Sequence, residues 1–237
     1  MFEASQEALR IRNEFISIAS HELKTPLTSI KLQTQMTQIS DEKKDPLTYS
    51  PERMKKFVKQ IDRQADRLAN LIEDMLDVSR ISLGKLSLDL QPTSLNSLIT
   101  EVIESLAELS QQSGNKIIFK FDSEVTANID HFRIEQVVIN LLANAIKYGE
   151  GKPITIYLTK QGSEVSFSVS DQGMGIAKEN QERIFARFER AVTAKNISGL
   201  GLGLYISQQI VQAHRGTIIV QSAPNEGACF IVTIPAD

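Results

Sequence analysis

From about Ala4 to Ser40 apolar residues recur at helical spacing, through Phe15, Ile16, Ala19, Leu23, Leu27 and Ile30, with no glycine and with Pro26 the only proline. That pattern predicts one long amphipathic helix. The polar stretch DEKKDPLTYS (41–50) ends it. Ser50-Pro51-Glu52 then supplies a capping hydroxyl, a proline at the first helical position and an acid in the first turn. In the segment that follows, Met54, Val58, Ile61, Ala65, Leu68, Ile72 and Met75 alternate spacings of four and three, the a/d seam of a coiled coil or bundle. Two long antiparallel helices are expected. A lone hairpin leaves such a seam half covered, so a second copy is the expected partner, giving a dimeric four-helix bundle, the alternative being that the helices pack on the rest of this chain.

After SRISLGKLSLDLQPTSL (79–95) the periodicity changes. Helices are predicted over 94–109 and 134–148, and strands over 116–121, 153–159, 164–171, 217–223 and 228–235. The strands pair as hairpins, one around Gly162 and one around Asn225-Glu226-Gly227, instead of alternating with helices. The fold class expected is therefore α+β: the helical hairpin, then an α/β sandwich with a mostly antiparallel sheet and helices on one face. The boundary falls near Gln91, giving domains over 1–90 and 91–237.

Charge and composition narrow the partners. With 26 Lys and Arg against 29 Asp and Glu, the formal net charge of -3 points to no nucleic acid. A single cysteine, Cys229, excludes an internal disulfide and a cysteine-rich zinc site, and fits a reducing compartment. No apolar run approaches the roughly 20 residues of a membrane span, so this segment is expected to make no membrane contact. A cytoplasmic location is expected, either for a soluble chain or for the cytoplasmic part of a membrane-bound sensor whose sensing region lies upstream.

Chemistry begins at His21. At about 100° per residue the apolar positions of the first helix form a stripe roughly 80° wide, and His21 lies about 160° from its centre. A core histidine is excluded by that geometry, whereas a solvated surface histidine and a nucleophile both fit. Glu22 adjoins it and can take a proton from one ring nitrogen while the other attacks, or hold the productive tautomer, and Thr25 shares its face.

Three further segments suit a nucleotide. Asn140, Asn144 and Lys147, spaced four and three and followed by Tyr148, put two amide oxygens and a cation on one helical face. Amide oxygens suit magnesium, and lysine suits phosphate. Asp171-Gln-Gly173-Met-Gly175 ends a strand, with a carboxylate able to accept from an exocyclic amine and glycines that allow close backbone approach to a flat ligand. Gly199, Gly201 and Gly203 lead into a helix whose free amides and dipole favour phosphate. Between these segments, residues 176–198 carry Phe185, Phe188 and three arginines, Arg183, Arg187 and Arg190, in a stretch long enough to serve as a lid.

Together these segments resemble the transmitter region of HisKA-type sensor histidine kinases, over essentially the whole chain. FISIASHELKTPLTSI matches the H box, IEQVVINLLANAIKY the N box, SDQGMGI the first glycine box, RIFARFER the F box and GLGLGL the second glycine box. The resemblance implies ATP and Mg2+ as cofactors, with His21 as phospho-acceptor, Glu22 as base and Asn140 as metal ligand. It further implies Asp171 on the adenine amine, Asn144, Lys147, Tyr148 and Arg190 around the nucleotide, and Gly199, Gly201 and Gly203 beside the triphosphate. The phosphoryl group would pass on to an aspartate of a response-regulator receiver domain. Thr25, in the HExxT pattern, would position water for dephosphorylating that regulator.

Related ATPases of this sandwich fold carry a water-activating glutamate where this chain has Gln136, which cannot act as a base. That disfavours a simple ATPase, which also leaves His21 unexplained. A non-catalytic dimeric scaffold would be expected to lack one of His21, Asn140, Asp171 or the glycine triplet, and all are present. Where the family often has Ser or Thr after the glycine of the last hairpin, the chain reads Gly227-Ala228-Cys229-Phe230, which removes one minor hydroxyl from the nucleotide site.

Overall fold

The computed structural model describes residues 2–43, 49–189 and 200–237. The chain divides into two compact units, one ending at Ser79 and the other starting at Arg80. Among the described residues no helix is long and apolar enough to cross a membrane.

The first unit is a helical hairpin of α1 (Phe2–Glu42) and α2 (Pro51–Ser82). Helix α1 continues past Pro26, whose missing N–H leaves the Glu22 carbonyl without its usual partner one turn on. Helix α2 starts as the sequence predicts: the Arg53 amide donates to Ser50 Oγ (3.4 Å) and the Met54 amide to the Ser50 carbonyl (2.9 Å). Ala19, Leu71 and Val78 are buried, but the seam is only half covered. Val58, Ala65 and Ile72, each seven residues from the next, stay exposed on α2, and Ile16, Leu27, Met36 and Ile39 stay exposed on α1.

The second unit is a sandwich. Its elements after α2 are β1 (Gln91–Ser94), α3 (Leu95–Ser105), α4 (Ala107–Ser113), β2 (Ile117–Phe121), β3 (Thr126–Ile129), α5 (His131–Tyr148), β4 (Ile154–Gln161), β5 (Glu164–Ser170), α6 (Gly203–Ala213), β6 (Thr217–Ser222) and β7 (Ala228–Pro235). Five strands form one sheet in the order β2-β4-β5-β7-β6. All neighbours run antiparallel except β2 and β4, which are parallel because the chain crosses back through β3 and α5 before entering β4. Register places Ile156 beside Val169, Phe167 beside Val232, and Val232 beside Ile218, so one face of the sheet is continuously apolar. Helices α3, α5 and α6 pack over that face, α5 contributing Ile134, Val137, Val138, Leu141, Leu142, Ala145 and Ile146 at three- and four-residue spacing.

Three features differ from the sequence reading. The helix expected over 94–109 is two helices, because Leu106 leaves helical geometry (φ -98°, ψ 6°). The helix expected from 134 starts earlier, at His131, with Asp130 as its cap (Arg133 amide to Oδ1, 3.1 Å). Strands β1 and β3 pair as a separate two-stranded sheet. Pro92 is tolerated in β1 because the strand is short and lies at an edge.

Candidate functional site

In the helical unit, His21 projects from α1 with its side chain 82% exposed, and Nδ1 lies 3.9 Å from Oε1 of Glu22. Nε2 is therefore the nitrogen left open to an electrophile. The other oxygen of Glu22, Oε2, accepts from Nη2 of Arg67 on α2 at 3.1 Å. Thr25 is exposed on the same helix, its hydroxyl donating to the His21 carbonyl at 3.1 Å. That bond uses the hydroxyl's proton and leaves its oxygen able to accept from a water. The structure thus brings His21, Glu22 and Thr25 together and adds Arg67, a residue 45 positions from Glu22 that no periodicity marks.

In the second unit, Asn140 faces α6. Its Nδ2 donates to Oγ of Ser207 (2.9 Å), and Asn144 Nδ2 reaches Asn140 Oδ1 only at 3.4 Å. Fixing the nitrogen in this way presents the oxygen beside the N-terminus of α6. A Cβ added to Gly203 would collide with the Asn140 amide, so glycine is what lets that amide stay where it is. Among the described residues no side chain caps α6, so the amides of its first turn are candidate donors. Lys147 is exposed, its ammonium 5.1 Å from the Tyr148 ring centroid. Gln136 Oε1 accepts from Arg133 Nη1 at 3.0 Å, consistent with a structural role for that side chain.

Asp171 directly follows β5 and is only 9% exposed. Burial pushes its carboxyl up, opposed by hydrogen bonds from the backbone and by the nearby Lys152 ammonium. The Gly173 amide donates to Oδ1 at 2.8 Å. The glycines after it serve a purpose beyond ligand approach: a Cβ at Gly173 would run into the Tyr148 carbonyl, and one at Gly175 (φ +67°) into the Ala223 carbonyl. The first glycine box is thus the place where α5 and the β6–β7 turn press on the end of β5. Gly201 adjoins the end of the F box, its carbonyl accepting from the Phe188 amide at 3.1 Å. Arg190 and Gly199 lie outside the described residues.

Residues 11–84 match the family model of the His Kinase A (phospho-acceptor) domain, and residues 129–237 that of the histidine kinase-, DNA gyrase B- and HSP90-like ATPases. The chain belongs to the HisKA-type histidine kinases, as a transmitter region. It is 34% identical to the circadian input-output histidine kinase CikA of Synechococcus elongatus, over 98% of this chain and 31% of CikA, so it spans about a third of that relative's length. Two solved structures are similar. Full-length ShkA in complex with AMPPNP shares 28% identity over 78% of this chain and 39% of its own, with a TM-score of 0.68. Histidine kinase ThkA in complex with the response regulator TrrA shares 29% identity over 98% of this chain and 64% of its own, with a TM-score of 0.67.

Whether the transmitter's residues suit magnesium turns on Asn140. Among the described residues no group of three or more His, Cys, Asp and Glu side chains gathers around a common point. A neutral amide oxygen with its nitrogen anchored fits a cation that takes most of its ligands from phosphate and water. Sequence reasoning also missed His214, which is buried where α6 ends and bonded to the cap of α5. Arg187 escaped it as well in its observed role: the guanidinium donates to Tyr205 Oη at 2.6 Å and lies 4.7 Å from that ring's centroid, tying the F box to α6.

Proposed function

We propose that the chain is the kinase core of a two-component sensor, transferring the γ-phosphoryl group of ATP to Nε2 of His21 and from there to an aspartate of a response-regulator receiver domain. The observation that carries this reading is the exposed His21 with Nδ1 turned to Glu22 and Nε2 open, in one chain with the Asp171–Asn140 constellation. Residues 1–90 would dimerise and carry the phosphoryl group, and residues 91–237 would bind the nucleotide.

Asp171 would accept from the adenine amine, and Asn144, Lys147, Tyr148 and Arg190 would surround the nucleotide. The amides at the start of α6, with Gly199 and Gly201, would face the phosphates. Asn140 Oδ1 would hold Mg2+, which when bound neutralises charge developing on the phosphates. Glu22 takes the Nδ1 proton as His21 attacks, which leaves a neutral phosphoimidazole. Gln136, unable to act as a base, leaves water unactivated and favours transfer to the side chain. Through its exposed hydroxyl oxygen, Thr25 would orient water in a dephosphorylation reaction on the regulator. A cytoplasmic location and an upstream sensing region go with this reading.

Incubation with γ-labelled ATP and Mg2+ tests it directly. Wild type is expected to carry an acid-labile, alkali-stable label that His21→Gln lacks while still binding ATP. Equal labelling of the two proteins would overturn the acceptor assignment.

A further inference from the structure

The geometry points to Arg67 as a positioning residue that holds Glu22 in place to take the proton from His21, an inference that rests on the kinase reading above. Neighbouring residues on a helix diverge by about 100° and do not face each other. Glu22 is therefore not directed at His21 by its place on α1 alone. A free glutamate side chain would spread over several rotamers, and ordering it costs conformational entropy.

Arg67 supplies that order from the opposite helix. Its Nη2 holds Oε2 of Glu22 at 3.1 Å, with the Arg67 and Glu22 side chains only 29% and 20% exposed. Charges this sheltered attract each other more strongly than a surface pair. With Oε2 taken, Oε1 is the oxygen left beside His21 Nδ1, at 3.9 Å. Shortening that separation to a hydrogen bond is the movement the proton transfer requires. Guanidinium, carboxylate and imidazole thus form a line across the hairpin: an orienting group, a base and a nucleophile.

The transfer step balances on this line. His21 Nε2 forms a bond to the γ-phosphorus as the bond from that phosphorus to the β,γ-bridging oxygen breaks, and ADP leaves with the electron pair. The positive charge that develops on the imidazole is relieved as Nδ1 gives its proton to Oε1 of Glu22. Arg67 touches neither the nucleotide nor the transferred group in this scheme. It acts through Glu22, and its loss should change the rate of the chemical step without changing nucleotide affinity.

A double-mutant cycle on the full chain tests the inference, measuring kcat and KM for ATP in the phosphorylation of His21. Arg67→Gln is expected to lower kcat by about ten- to a hundredfold, with KM for ATP unchanged, and Arg67→Lys is expected to restore much of the rate. In a Glu22→Gln background, Arg67→Gln should cost nothing further, because the group it positions is already gone. An unchanged or raised kcat in Arg67→Gln, a change confined to KM, or losses that multiply in the double variant would each overturn the inference while wild type still labels His21. Wild type without label at His21 would overturn the kinase reading and this inference with it.

Discussion

His214 shows how much one buried residue can hold together. Its Nδ1 bonds the Ile210 carbonyl at 2.8 Å, so that nitrogen carries the proton, and Nε2 accepts from the Asp130 amide at 3.0 Å, so that nitrogen is bare. Asp130 in turn caps α5 through Oδ1 and accepts from the Asp89 amide through Oδ2 at 2.9 Å. One neutral imidazole thereby joins the end of α6, the start of α5 and the entry to β1. Burial pushes its pKa below the ordinary 6.5, outweighing the opposing effects of the Ile210 bond and the Asp130 charge. The unfolded chain then binds the proton more readily, so this contribution is complete above about pH 6.5 and is lost as pH falls from there toward the lower folded value. Asp74 on α2 behaves oppositely: burial and the neighbouring Asp77 raise its carboxyl to about 6, so acidification from neutrality relieves a cost there. Comparing wild type with His214→Gln separates the two. The variant should be less stable at pH 7 by about 1–2 kcal/mol, and the gap should narrow as the pH is lowered toward 5 in urea-unfolding series. A gap independent of pH would show that protonation of His214 is not linked to folding.

At the scale of elements, the contact between α5 and α6 sets the nucleotide constellation. Asn140 is held by Ser207 and pressed against Gly203, so the metal-ligand candidate and the phosphate-facing helix start are fixed as one body. Gly203→Ala should force the Asn140 amide out of that position, weakening Mg-ATP binding by about tenfold or more, or at least 1.4 kcal/mol. Calorimetric titration checks this, and wild-type affinity in the variant would separate the glycine from the site. How legible these elements were depended on the reach of each signal. The five strands of the main sheet and the hairpin at Gly162 followed from alternation and turn residues, because Val165, Phe167 and Val169 face one core. Strands β1 and β3 did not, since four residues are too few for a period and β1 begins at Gln91-Pro92. Within the site, Asn140, Asp171 and the glycines stood out as motifs. Arg67 and His214 did not, because each acts through a partner that only the folded chain brings near.

For the whole molecule, the uncovered half of the helical seam bears on assembly. Val58 and Ile72 remain 59% and 48% exposed, and with Ala65 they make a seven-residue repeat along α2. Isolated apolar residues on a surface need no explanation, but a seven-residue row along α2 is the pattern a second hairpin would bury. In a twofold assembly each of these side chains is used twice, so a defect in one is doubled. Ile72→Glu buries an unpaired carboxylate at a cost of about 2 kcal/mol per copy. Counted twice, that loosens the dimer by about a thousandfold. Sedimentation equilibrium should find wild type dimeric at micromolar concentration and Ile72→Glu largely monomeric. Asp171, Asn140 and the start of α6 all belong to the second unit, so the variant should bind ATP as wild type does. A variant that stays dimeric with undiminished affinity would place the interface elsewhere. One that loses both assembly and ATP binding would mean that the nucleotide unit depends on the hairpin for its fold.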